Sequence, residues 1–348
     1  MKRVLMSILA RVKGNVNANG TVAALTEIKK FFTTEGEVRV YVSGRCVKYC
    51  IKQRLSEKCL EISPLVREQR VLRSEGNPVK YVDDDIFGYM IPIGAEGARK
   101  RFAPIKTDGI VALRHCEITK DFGGRFDPTG KEMPSPFEVE VADFIGQNNW
   151  ILTENIGKFE EDELTEEIIK GSQLEERTEN GRKIYYLPAN EREHRLKAFL
   201  EILLKERYTF PRSATNLHQP HYYYAVILLT ERLLPLFAHI DYIVENGRIL
   251  LNIDKIVDLV SLLEQNEKII IIDFEHALKD KLSQKIAQLS SSLRKIEEEL
   301  RSSSGNEELK RRMEILKRQI EKLNLIDILE PYEVDKAIDE ITEFLIGA

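Results

Sequence analysis

Glu37-Val38-Arg39-Val40-Tyr41-Val42-Ser43 runs directly into Gly44-Arg45-Cys46-Val47-Lys48-Tyr49-Cys50-Ile51-Lys52, and two periodicities meet at that junction. Before it, Val38, Val40 and Val42 alternate with Arg39 and Tyr41, the period of a half-buried strand. After it, Val47, Cys50, Ile51 and Leu55 recur at helical spacing. Ser43 stands where a helix N-cap belongs, so the stretch predicts a strand, a Ser-Gly turn and an amphipathic helix. Strand-to-helix units of this kind build α+β or α/β domains.

Upstream, Val4 to Val12 is aliphatic and reads as a first strand running into the loop Gly14-Asn15-Val16-Asn17-Ala18-Asn19-Gly20. Met1-Lys2-Arg3 followed by apolar residues imitates a signal peptide, but Ser7, Arg11 and Lys13 interrupt it, and a strand fits better. Downstream, 64–107 loses regular patterning and reads as an inserted lobe, with Asp83-Asp84-Asp85 on an extended segment. Residues 110–118 and 137–144, around turn-rich 121–130, predict a β-hairpin covering about 108–145. A helix over 191–207 shows Leu196, Phe199, Leu200, Leu203 and Leu204 on one face, and 222–230 reads as a buried strand. Leu278, Leu282, Ile286, Leu289, Leu293, Ile296 and Leu300, then Leu309, Met313, Leu316, Ile320 and Leu323, step by three and four on either side of a break at 302–305. This predicts an antiparallel helical hairpin over about 276–325, each arm roughly 30–40 Å long at 1.5 Å per residue. Residues 326–348 close the chain with a terminal helix packing on a core that spans 1–275.

The 348 residues carry 52 Lys+Arg and 57 Asp+Glu, a net charge of −5, which taken whole argues against a nucleic-acid partner. Its distribution argues the reverse: residues 1–135 are +8 and 136–348 are −13. One basic region on an acidic protein is the footprint of a face that meets a polyanion. Cys46, Cys50, Cys59 and Cys116 are too few and too irregular for a disulfide framework, and imply a reducing, cytoplasmic setting in which they pack as small hydrophobes. No apolar run reaches the 18 residues of a membrane span.

Two places are suited to phosphate chemistry. The Ser43-Gly44 turn presents backbone N–H groups at a helix start, Gly44 permits close backbone approach, and Arg45, Lys48 and Lys52 lie on one side of that helix. A solvated face opposite the core would show the same spacing. Lys100, Arg101 and Phe102 join cations to an aromatic ring, the combination that holds single strands; Arg114, His115, Lys120 and Arg125 carry positive charge into the hairpin. Catalytic patterns are poorer. The adjacent aspartates lack the regularly spaced further ligands of a calcium loop, His218-Gln219-Pro220-His221 lacks the glutamate of a zinc peptidase, and no nucleotide-binding glycine motif occurs. No metal or cofactor is expected.

In order and spacing, four stretches resemble the backbone subunit of type I CRISPR Cascade complexes, in the DevR branch of the RAMP superfamily (type I-B-like). They are Asn15 to Gly20; Tyr41 to Tyr49; Asp84-Asp85-Ile86-Phe87-Gly88-Tyr89-Met90 with Lys100-Arg101-Phe102-Ala103-Pro104-Ile105; and Asp121-Phe122-Gly123 with Pro136-Phe137-Glu138 and Asn155-Ile156-Gly157. Together they span about residues 4–160. Lys48-Tyr49 stands where the family more often has Arg-His. The resemblance implies an α+β fold: an RRM-like (ferredoxin-like) palm with inserted lobes and a β-hairpin thumb. It implies crRNA as ligand, held by Asn17, Asn19, Ser43, Gly44, Arg45, Lys48, Lys52, Lys100, Arg101, Phe102, Arg114, His115, Lys120 and Arg125. It further implies head-to-tail copies along one guide, target DNA reached through the guide, other Cascade subunits as partners, and no catalysis. Two other readings stand beside it. One is an endoribonuclease using Asp84 or Asp85 with a metal, or His115 as a general base without one; the other is a scaffold whose helical hairpin docks proteins.

Overall fold

The structure, a computed structural model, describes residues 1–68, 71–93, 97–211, 218–302 and 306–347. A central antiparallel sheet orders its strands Lys268–Asp273, His221–Thr230, Arg3–Gly14, Ser135–Thr153, Ile105–Ala112, Val38–Ser43 and Lys30–Phe32, with Asp327–Leu329 added in parallel at one edge. Helix Gly44–Glu57 connects the second half of that order, and helix Ala189–Leu200 precedes strand His221–Thr230. A strand-helix-strand-strand-helix-strand chain with the first strand in the middle is the ferredoxin-like arrangement within an α+β fold.

Strand Arg3–Gly14 is buried on both faces, which is why it reads as a continuous apolar run. Val4, Met6, Ile8, Ala10 and Val12 meet helix residues Val47, Ile51, Leu196, Phe199 and Ile341 in one core. Leu5 and Leu9 point the other way, into a second core with Val226, Ile271, Leu236, Leu259 and Leu323. Ser7 shares that second face, and its hydroxyl donates to Asn149 Oδ1 at 2.8 Å. Among the described residues, no helix is long and apolar enough to cross a membrane.

The hairpin differs in construction from its sequence reading. Its second strand, Ser135–Thr153, is 19 residues long and serves two partners: its outer half pairs with Thr119–Arg125, its inner half with Arg3–Gly14 and Ile105–Ala112. The first hairpin strand is therefore Thr119–Arg125 rather than 110–118. Residues 18–28 form a second small hairpin, whose Leu25–Ile28 strand lies beside the outer half. The lobe at 64–107 contains two short hairpins and a helix, Val82–Phe87, so the three aspartates are helical rather than extended. The predicted helix over 191–207 is α-helical to Leu200 and continues as a π-turn, Glu201–Glu206.

Helices Leu278–Ser302 and Glu307–Asn324 lie side by side, with Lys317 and Glu297 ion-paired between them at 3.1 Å; the break at 303–305 lies outside the described residues. Their inner ends belong to the second core. Leu278, Leu282 and Leu323 are buried there, and Arg318, Gln319 and Lys322 hydrogen-bond to Leu263, Ser261 and Glu264. Leu323→Ala is expected to lower unfolding free energy by about 2–5 kcal/mol, the cost of a cavity in a packed core. Leu325→Ala, two residues on and 62% exposed, is expected to change it by less than about 0.5 kcal/mol. Urea unfolding of the two variants checks the contrast.

Candidate nucleic-acid interface

The Ser43-Gly44 turn is fixed by three backbones meeting at it. Ser43 caps the helix, its Oγ accepting from the Cys46 N–H at 3.4 Å, and its own N–H donates to Asn17 Oδ1 at 2.8 Å. Strand Ile105–Ala112 passes beneath with a bulge at Asp108, placing Gly109 opposite Ser43. A Cβ on Gly44 would stand 2.6 Å from the Thr107 carbonyl oxygen, and one on Gly109, at φ +95°, only 2.0 Å from the Val42 carbonyl oxygen. Gly44 is thus required by the protein's own chain, whereas its sequence reading assigned that freedom to an approaching ligand.

From this turn the helix carries Arg45 on the side away from Val47 and Ile51, with Lys48 and Lys52 half-buried at the margin of the apolar seam. Arg45 is exposed and forms no ion pair among the described residues. Lys52 bonds the buried Asp83 carboxylate at 2.7 Å. The Lys48 ammonium stands 5.3 Å from the centre of the Phe87 ring. Burial, and then the charges of Lys52 and Lys106, push its pKa below the usual lysine range. Lys48 therefore sits between two like charges, Lys52 and Lys106, and among the described residues only Lys52 of the three is paired with a carboxylate, an arrangement that a bound polyanion relieves.

The second sequence-predicted cluster reaches the same region. Gly88, which follows Phe87, lies so close to the segment Arg101–Ala103 that a Cβ on it would meet the Arg101 carbonyl oxygen at 2.4 Å. Lys100 and Phe102 are exposed beside that contact, with the Lys100 ammonium 4.9 Å from the centre of the Phe102 ring. The structure thus brings together Asn17, Ser43, Gly44, Arg45, Lys48, Lys52, Lys100 and Phe102.

Arg101 is a correction. Its side chain is 1% exposed, and all five N–H donors are used inside the protein: on Asp85, Glu163 and the carbonyls of Asp85, Asn155 and Lys158. Its neighbours in the sequence alternate outward, so Arg101 is the inward member of strand Ala98–Arg101. The adjacent aspartates also have internal partners. Asp83 accepts from the Ser63 N–H, Asp84 from those of Gly76 and Asn77, and Asp85 from Gly157, Arg101 and Arg195. All three are essentially fully buried.

The remaining predicted residues lie elsewhere. His115 Nδ1 accepts from the Val38 N–H at 3.1 Å, at the far end of strand Val38–Ser43 from the turn, roughly 16 Å away at 3.3 Å per residue. Arg114 bonds Asp241 at 2.6 Å and stacks on Tyr242, and Lys120 pairs across the hairpin with Glu138 at 3.2 Å. Asn19 is exposed on the small hairpin. Arg125 and His115 border an open groove of about 1720 Å³ between the two hairpins, which Lys13, Glu117, Asp121 and Asp143 also line. That groove carries both signs of charge; the helix face carries one. Sequence reading missed Lys106, although the alternation of Ile105 inward and Lys106 outward is the signal it used for residues 37–43.

A family model described as "CRISPR-associated negative auto-regulator DevR/Csa2" matches residues 7–243. No curated protein matches the chain. Among solved structures, a chain of a "CRISPR RNA-guided surveillance complex, pre-nicking" is similar with a TM-score of 0.51 at 9% identity, covering 79% of this chain and 92% of that one. Another, from a "CRISPR RNA-guided surveillance complex", aligns over 80% and 90% at 10% identity with a TM-score of 0.48. The first of these likenesses supports the fold; the family match spans more than half of the sequence, and the chain belongs to the DevR/Csa2 family of CRISPR-associated RAMP proteins.

Proposed function

We propose that this chain is a crRNA-binding backbone subunit of a type I Cascade complex. It grips the guide's phosphates along helix Gly44–Glu57 and the segment from Lys100 to Lys106, and it leaves base edges free to pair with target DNA. The observation that carries the location is the placing of Lys48 beside Lys52 and Lys106, next to the contact of Gly88 with Arg101–Ala103 that brings Lys100 to the same region; family membership supports RNA as the polyanion. In this reading the sheet is a palm and the hairpin Thr119–Arg125 with 135–141 a thumb. Successive copies assemble head to tail, joining the basic N-terminal region of one to acidic surfaces of the next. The RNA is held without being cut, a role supported by the aspartates' commitment to internal partners.

The test is a titration of guide-length single-stranded RNA against the wild type and Lys48→Glu/Lys106→Glu. At about 0.1 M salt the variant is expected to bind at least tenfold more weakly. Its plot of log affinity against log salt is expected to be shallower by roughly 1.4, the loss of two single-strand phosphate contacts. Unchanged affinity and slope would remove the interface from this face. Lys100→Glu probes the second segment by itself, since Arg101 is committed to the interior. End-labelled RNA incubated with the wild type and a divalent cation should remain intact, and cleavage would overturn the non-catalytic part of the reading.

A further inference from the structure

Between the cations of helix Gly44–Glu57 lies a residue that neither the core nor the phosphate grip uses. Tyr49 is 51% exposed and forms no hydrogen bond or ring contact among the described residues. At about 100° per residue it projects roughly 40° from Arg45 and 60° from Lys52, and about 160° from Val47. Its position therefore places it beside Arg45 at one edge of the charged strip, on the side away from Val47. The Tyr49 ring is half in water, its nearest exposed neighbours along the helix are the cations Arg45 and Lys52, and the one other exposed ring brought to this region, Phe102, itself lies beside the Lys100 ammonium. A ring flanked by positive charge matches a nucleotide, whose phosphate needs the cations and whose base offers a π-face.

We infer that Tyr49 is a stacking platform for an unpaired nucleobase, so that this face takes single-stranded RNA in preference to duplex. The inference rests on the proposed RNA-binding reading and adds to it a base contact independent of the phosphate contacts. Stacking accepts any base, since each has a π-face, which suits a surface that holds guides of different sequence. Duplex RNA keeps its bases stacked on one another and offers the ring none.

The experiment uses the full chain with a guide-length RNA carrying 2-aminopurine at successive positions, together with Tyr49→Ala, Tyr49→Phe and Tyr49→Trp. Tyr49→Ala is expected to weaken binding about five- to a hundredfold with the salt slope unchanged, because no phosphate contact is lost. Tyr49→Phe and Tyr49→Trp are expected to restore wild-type affinity. The wild type should quench one 2-aminopurine position that Tyr49→Ala leaves bright. Tight wild-type binding with an indifferent Tyr49→Ala overturns this inference alone, as does a loss that Tyr49→Phe fails to rescue. A wild type without RNA affinity overturns both this inference and the reading beneath it.

Discussion

Asp85→Ala should lower the unfolding free energy by about 3–5 kcal/mol, the usual cost of leaving a buried charge without its partner. Asp85 is 0% exposed. One oxygen receives Arg101 Nη2 at 2.5 Å, the other Arg195 Nη1 at 2.9 Å, and both lie 3.1 Å from the Gly157 N–H. These donors come from the inserted lobe, from helix Ala189–Leu200 and from the loop after strand Ser135–Thr153, so one carboxylate ties three parts of the chain together. Removing it leaves two guanidiniums, both at most 3% exposed, with one carboxylate each, Glu163 for Arg101 and Glu191 for Arg195. Replacing the ion pairs by apolar groups would leave no such debt, and the expected loss therefore measures the donors left unsatisfied on the arginines more than the bond itself. The readout is the shift in urea midpoint. A change below about 1 kcal/mol would mean that the network relaxes around the gap.

Gly109→Ala is expected to cost about 2–5 kcal/mol and, unlike Asp85→Ala, to act directly on the proposed interface. A left-handed φ of +95° already disfavours any side chain. The added methyl would also lie 2.0 Å from the Val42 carbonyl oxygen and 2.6 Å from the Gly44 nitrogen. Something must move, and the movable part is the Ser43-Gly44 turn. The strand beneath is held by Asn148, whose amide donates to the Gly109 carbonyl at 2.6 Å while its oxygen accepts from Trp150 Nε1 at 2.7 Å. RNA affinity is expected to fall together with stability in Gly109→Ala, whereas Lys48→Glu/Lys106→Glu affects binding with little change in stability. Thermal unfolding beside RNA titration separates the two.

The elements that sequence made legible were those whose period is governed by burial on one face or two. Strand Val38–Ser43 alternates because one face is covered; helix Gly44–Glu57 steps by three and four because one stripe is; both appear where their patterns placed them. The twelve-residue first strand and the terminal helices were equally clear. The lobe was not. Val82–Phe87 is a six-residue helix buried on every side, so no polar face marks its period, and its acidic triplet reads as an extended segment until Ser63, Gly76, Asn77, Gly157 and the two arginines are placed around it. The same blindness affected Arg101. Arg99, Lys100 and Arg101 are chemically alike in a list, and only the pleat of their short strand decides that the third faces inward. The candidate site was therefore visible as a region and as a charge, while the identity of the touching residues depended on pairings some 15 to 110 positions apart.

The central place of strand Arg3–Gly14 bears on how the molecule is made. It is made well before either of its two sheet neighbours, Ser135–Thr153 and His221–Thr230. At roughly 5–20 residues per second the second neighbour follows some 10–40 seconds later. Until Ser135–Thr153 is made neither flank of this apolar strand has a partner, and until His221–Thr230 is made one flank stays open, which makes the nascent chain a client for chaperones and a template for mispairing. Production of this protein should be governed by translation speed and chaperone supply more than by the stability of the finished fold.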